Sequence, residues 1–268
     1  MSRRWRREGL SIGLVPTMGA LHAGHLSLVE RACQENDRVV VSIFVNPIQF
    51  GPGEDFERYP RDAERDAALL AKAGVDAIYR PTVAAMYPPG SSTRIHVAAV
   101  TEPLEGQARP GHFDGVATVV AKLFTAVEPD RAYFGQKDAQ QVAVVKRMAR
   151  DLDFQVEIRV CPTVREPDGV ARSSRNAYLN VEERKAAPSL SSALRLAAGA
   201  YAGGERQPQR LREILRERLE AEPLAQVEYA ELVDPETFTA PGSLAVLAVR
   251  IGRTRLIDNH DLAMEFPG

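Results

Sequence analysis

Along the first two-thirds of the chain, short apolar runs alternate with longer stretches whose apolar residues recur every three or four positions. Residues 12–16 predict a buried strand, and residues 21–36 a helix carrying Leu21, Leu28, Val29 and Ala32. Residues 38–45, RVVVSIFV, form the clearest buried strand, being β-branched and nearly uninterrupted. Residues 61–73 have the pattern of a charged amphipathic helix closed by Gly74, with a strand near 75–79. Further helices are expected at 115–127 and 139–152, and further strands at 132–134 and 156–160. Strands that alternate with helices imply a parallel sheet covered on both faces, and such sheets bind ligands beyond the carboxyl ends of their strands.

After about residue 164 the texture changes. Residues 181–202 and 207–221 look helical, and three strand-like runs follow at 227–233, 244–249 and 254–257. Helices followed by successive strands suggest an antiparallel sheet. The expected architecture is therefore α/β: a Rossmann-like parallel sheet domain over residues 1–163, then a smaller C-terminal α+β domain over 164–268 that covers the active site.

Composition narrows the function without naming it. The chain has 268 residues, 34 basic against 36 acidic, for a formal net charge of −2. Without a basic excess it is not expected to bind nucleic acid or a membrane surface. The two cysteines, Cys33 and Cys161, have no metal-site spacing, and a reducing, cytoplasmic setting fits them. The N-terminal MSRRWRREGL is followed by no apolar stretch of signal-peptide length, and is expected to form a short solvated helix.

Three polar motifs fall at expected strand ends or turns. VPTMGALHAGH (residues 15–25) lies where a strand gives way to a helix, so free backbone N–H groups there can face an anion. His22 and His25 are three apart and share a face, while Gly19 and Gly24 allow close approach. FGQKDAQQ (134–141) repeats the strand-to-helix setting, with Lys137 suited to a phosphate and Gln141 to a polar ligand. RSSRN (172–176) flanks hydroxyls with guanidinium groups that bind oxyanions in a two-pronged way. NPIQFG (46–51) adds Gln49 at the end of the strongest strand, and RPGHFDG (109–115) adds Arg109 for a carboxylate or phosphate. Asp62, Glu64 and Asp66 lie on a helix whose charged face is expected to be solvated. Each motif also has a structural reading as a cap, turn or surface group.

Taken in order, VPTMGALHAGH, SIFVNPIQF, RPGHFDGVATVV, YFGQKDAQQ, TVREPDGVARSSRNAYL and RLIDN resemble the pantothenate synthetase family over nearly the whole chain. That family belongs to a nucleotidyltransferase-like group whose HxGH signature appears here as His22-Ala23-Gly24-His25. The resemblance implies condensation of pantoate with β-alanine, using ATP and Mg²⁺, through a pantoyl adenylate, with release of pyrophosphate and AMP. It implies an ATP site made of Met18, Gly19, Ala20, Leu21, His22, Ala23, Gly24 and His25, continued by Gly135, Gln136, Lys137, Asp138, Val164, Arg172, Ser173, Ser174 and Arg175. His25, His22, Lys137 and Arg175 would be catalytic, Gln49 and Gln141 would hold substrate, and Asp66 matches a position near the family's metal. A homodimer is also implied.

Two positions depart from the family pattern: Arg172 stands where an apolar residue is usual, and Ala139 where a larger one is. The alternative to the ligase is a nucleotidyltransferase of the same group, which would keep the nucleotide in its product.

Overall fold

The computed structural model describes residues 1–267. They divide into two compact units: Met1–Gly135 with Gln141–Pro162, and Gln136–Gln140 with the chain from Thr163 onward. The stretch Gln136–Gln140 thus belongs to the second unit, although the sequence pattern places it inside the first domain.

The first unit contains α1 (Ser2–Arg7), β1 (Ile12–Thr17), α2 (Ala23–Glu35), β2 (Arg38–Ile43), α3 (Ala63–Lys72) and β3 (Ala77–Tyr79). It continues through two short helices, α4 (Val83–Met86) and α5 (Glu105–Ala108), to α6 (His112–Val127), β4 (Arg131–Gly135), α7 (Ala139–Asp151) and β5 (Glu157–Cys161). The first two residues of α7 group with the second unit. The five strands form a parallel sheet in the order β3-β2-β1-β4-β5. β2 and β3 extend one way from β1 while β4 and β5 extend the other, so the order reverses between β1 and β4. Open sheets of this kind bind ligands at that reversal. Val15, Val29, Ala32, Val41, Leu70 and Tyr133 are buried in one core on this sheet.

Within the second unit, α8 (Val181–Ala186), α9 (Ser189–Ala202) and α10 (Pro208–Glu220) precede three antiparallel strands, β6 (Ala225–Val233), β7 (Leu244–Ile251) and β8 (Thr254–Asp261). Their order is β6-β7-β8, which leaves β8 at an edge. Leu194, Leu211, Leu215 and Leu219 pack with Leu247 and Val249 as its core.

Three sequence expectations are corrected. The single helix over 181–202 is two helices: α8 opens on a capping box between Asn180 and Glu183, and Pro188, which has no N–H to continue the ladder, sets the start of α9. The helix expected from residue 21 begins at Ala23, because Gly19 and Ala20 both adopt positive φ. The N-terminal helix is not fully solvated, since Trp5 is buried.

Candidate active site

The loop after β1 is the most constrained part of the first unit. Gly19 takes a φ of +85°, and a Cβ there would lie 3.0 Å from Oδ2 of Asp66. Asp66 is 1% exposed, and its two oxygens accept the backbone N–H groups of Ala20 at 2.9 Å and Leu21 at 2.8 Å. The solvated role expected for it is therefore wrong. Its carboxylate anchors the loop that precedes α2.

His22 is the N-cap of α2, and its Nδ1 accepts the N–H of Gly24 at 3.1 Å. Nδ1 of His25 accepts the N–H of His22 at 3.4 Å, which completes a capping box made of two imidazoles. The ring centroids are 4.1 Å apart. A neutral imidazole that accepts at Nδ1 carries its proton on Nε2. The local backbone thus sets both rings to the tautomer that offers an Nε2–H donor, at a helix end that itself favours negative charge.

A second cluster in this unit surrounds Gln49, in a 3-10 turn (Pro47–Gln49) just after β2. Gln49 is buried; its Oε1 accepts from Nδ2 of Asn46 at 3.0 Å, and its Nε2 faces Sδ of Met18 at 3.4 Å. Asn46 also donates to the carbonyl of Gly115 and accepts from the Tyr87 hydroxyl, both within 3.0 Å. Burial pushes that hydroxyl up to about 12. Gly115 lets α6 press directly on the turn, because a Cβ there would sit 2.6 Å from Cα of Gln49.

Arg109 was expected to grip substrate. Its Nε and Nη2 donate to the two oxygens of Glu54 at 2.7 and 2.6 Å, and its Nη1 reaches Nε2 of His112 at 3.0 Å. Arginine can only donate, so the His112 proton lies on Nδ1 and is donated to the Gln49 carbonyl at 2.9 Å. Burial, with the Arg109 charge adding to it, pushes the His112 imidazole down to about 4. Burial raises the Glu54 carboxyl, but the Arg109 hydrogen bonds and charge outweigh it and hold Glu54 below the usual range. The trio thus holds the Gln49 backbone. Gln141, near the start of α7, is half-buried.

Gly135 ends β4 in the first unit, and the second unit carries the remaining predicted residues. Gln136–Asp138 forms a 3-10 turn, with the Lys137 ammonium 3.5 Å from Asp138. Val164 accepts the N–H of Arg172 at 2.9 Å, closing a short hairpin bridged between Arg165 and Ala171. Arg172 faces Glu166 at 3.7 Å, which accommodates the extra charge noted in the sequence. Ser173 caps the 3-10 turn Ser174–Tyr178 by accepting from the N–H of Arg175. Two buried residues of β8 support these segments. Asp258 forks the Arg165 guanidinium at 2.6 and 3.0 Å, and Asn259 binds the backbone of Gln136 and Lys137.

Sequence reasoning gave no role to Asn46, Glu54, His112, Asp258 or Asn259. Among the described residues, no group of three or more His, Cys, Asp or Glu side chains could hold a metal ion. No helix among the described residues is long and apolar enough to cross a membrane.

A family model described as pantoate-beta-alanine ligase matches residues 1–261. A pantothenate synthetase of Rubrobacter xylanophilus is 58% identical over 275 residues, covering 98% of this chain and 94% of that one. One from Herpetosiphon aurantiacus is 55% identical over 263 residues, covering 96% and 95%. Among solved structures, the pantothenate synthetase of Thermus thermophilus superposes with a TM-score of 0.91 at 52% identity, covering 94% of this chain and 93% of that one. A pantoate-beta-alanine ligase from Francisella tularensis, in complex with beta-gamma ATP and beta-alanine, gives 0.81 at 35% identity, covering 97% and 93%.

Proposed function

The chain belongs to the pantoate–beta-alanine ligase family, and on that premise we propose that it joins pantoate to β-alanine with ATP, through a pantoyl adenylate. The pantoate carboxylate attacks the α-phosphorus; the new O–P bond forms as the bond to the leaving pyrophosphate breaks. The β-alanine amine then attacks the acyl carbon, loses a proton, and displaces AMP. The substrate carboxylate is the nucleophile, so no protein nucleophile is needed.

The observation that carries this reading is the two-histidine capping box. Adenylation is driven mainly by positioning and by neutralising charge on the phosphates as it shifts. Two Nε2–H groups fixed at a helix start are preorganised for that task. His25 is assigned as the donor to the developing charge, with His22 beside it. Lys137 and Arg175 are assigned as cationic donors, and the backbone of Met18–His25, Gly135–Asp138, Val164 and Arg172–Ser174 is assigned to nucleotide binding. Gln49, held on three sides, and Gln141 are assigned to the pantoate hydroxyls and carboxylate. Arg109 acts on substrate only through Gln49. Mg²⁺ would arrive as the counter-ion of ATP, and no step is derived through it. A homodimer in the cytoplasm completes the proposal.

The test is release of AMP from ATP, Mg²⁺ and pantoate, with and without β-alanine. Multiple turnovers only when both acid and amine are present support the ligase. A stable nucleotide conjugate, with no free AMP, would sink it in favour of a nucleotidyltransferase.

A further inference from the structure

Asn259, the last residue of RLIDN, lies 122 and 123 residues from the turn positions it serves, yet both amide hydrogens and the oxygen are engaged on that one short turn. Nδ2 donates to the carbonyls of Gln136 at 3.0 Å and Lys137 at 2.9 Å, and Oδ1 accepts from Nε2 of Gln136 at 3.1 Å. The residue is 5% exposed, so water does not replace these bonds. Only a short-stemmed amide offers two donors and an acceptor at this reach: Asp has no donor, Ser has one, and Gln is a methylene longer.

Its neighbour Asp258, 3% exposed, holds Arg165, and Arg165 also donates to the carbonyl of Gly169 at 3.0 Å. That pins the hairpin leading directly into Arg172–Arg175. Consecutive strand residues point to opposite faces, which lets adjacent side chains serve different segments. The N–H of Asn259 donates to Oδ1 of Asp258 at 2.8 Å, so the two are also tied to each other.

We propose that Asn259 is a positioning residue for adenylation, fixing the backbone on which Lys137 stands, and that Asp258 does the same for the arginine-serine segment. β8 thereby sets both cationic elements of the second unit without touching substrate. This rests on the role assigned above to Lys137.

The experiment is a double-mutant cycle on AMP release by the full chain. Asn259→Asp keeps size and shape but places a carboxylate against two carbonyls, and Asn259→Ala removes the amide. Each is expected to lower kcat about tenfold or more, the scale of leaving buried polar groups unpaired, while KM for β-alanine stays unchanged. In a Lys137→Ala background the same substitution should cost kcat clearly less than in wild type, because the main group it positions is gone. If the alanine chain does not fold, Asn259→Ser, which keeps one donor, takes its place in the cycle. Folded Asn259 variants with kcat within about twofold of wild type, or losses that multiply with Lys137→Ala, overturn the proposal. Failure of the ligase reading would look different: the wild-type chain itself would release no AMP.

Discussion

Asp66 in the first unit and Asp258 in the second are both buried carboxylates, each under a loop that carries candidate residues. Asp66 holds its loop by the backbone, through the N–H groups of Ala20 and Leu21. Asp258 holds its hairpin by a side chain, the guanidinium of Arg165. A loop gripped by its amides tolerates change in its side chains, because every residue but proline offers the same donor. A loop gripped by an ion pair depends on one residue, and losing either partner leaves a buried charge without compensation. Similar anchoring is thus achieved with different exposure to mutation.

Four measurements break or sharpen that contrast. Asp258→Ala should be the most damaging to stability, by about 3–5 kcal/mol in denaturant unfolding, since it strands the Arg165 cation. A loss under about 1 kcal/mol would mean that water or another group replaces it. His25→Ala tests the group being held rather than the holder. It should lower kcat for adenylation on the order of 10²–10³-fold with little change in KM.

Third, the trio behind Gln49 gives the first unit an acid-sensitive element. His112 has a folded pKa of about 4, below that of an ordinary imidazole, so between about pH 6.5 and 4 the unfolded chain binds the extra proton. Its contribution is complete above about 6.5 and disappears as pH falls toward 4, for a total of about 3 kcal/mol. Glu54, also held below its usual range, adds a loss in the same direction at lower pH. Thermal unfolding across that range should slope downward in wild type and much less in His112→Asn. The smallest effect is expected from Asp66→Ala, about 2 kcal/mol for buried amides left without an acceptor. If Asp66→Ala proves costlier than Asp258→Ala, the contrast fails.

The sheet was legible because buried parallel strands write themselves as apolar runs: Val39, Val40 and Val41 in β2 needed no further context. The His22–His25 motif was visible too, but the capping box was not, since histidine is an unusual cap. Asp66 left a readable signal, because Leu69 and Leu70 lie three and four residues beyond it and so mark its face of α3 as the inner one. Pro188 was likewise a readable stop. Asn259 left none. Its partners lie 122 and 123 residues away, and periodicity carries no information about pairings at that distance.

The allocation of Gln136–Gln140 bears on how this protein could be cut and reassembled. The second unit is not a contiguous cassette. A fragment beginning at Thr163 would contain β8 with both of its bracing side chains but lack the turn that Asn259 grips, and one ending at Pro162 would carry that turn away from its brace. Gene fusions, split reporters and domain transplants that treat residue 163 as a clean seam therefore sever the element that carries Lys137. A transferable second module needs those five residues grafted in as a separate insert.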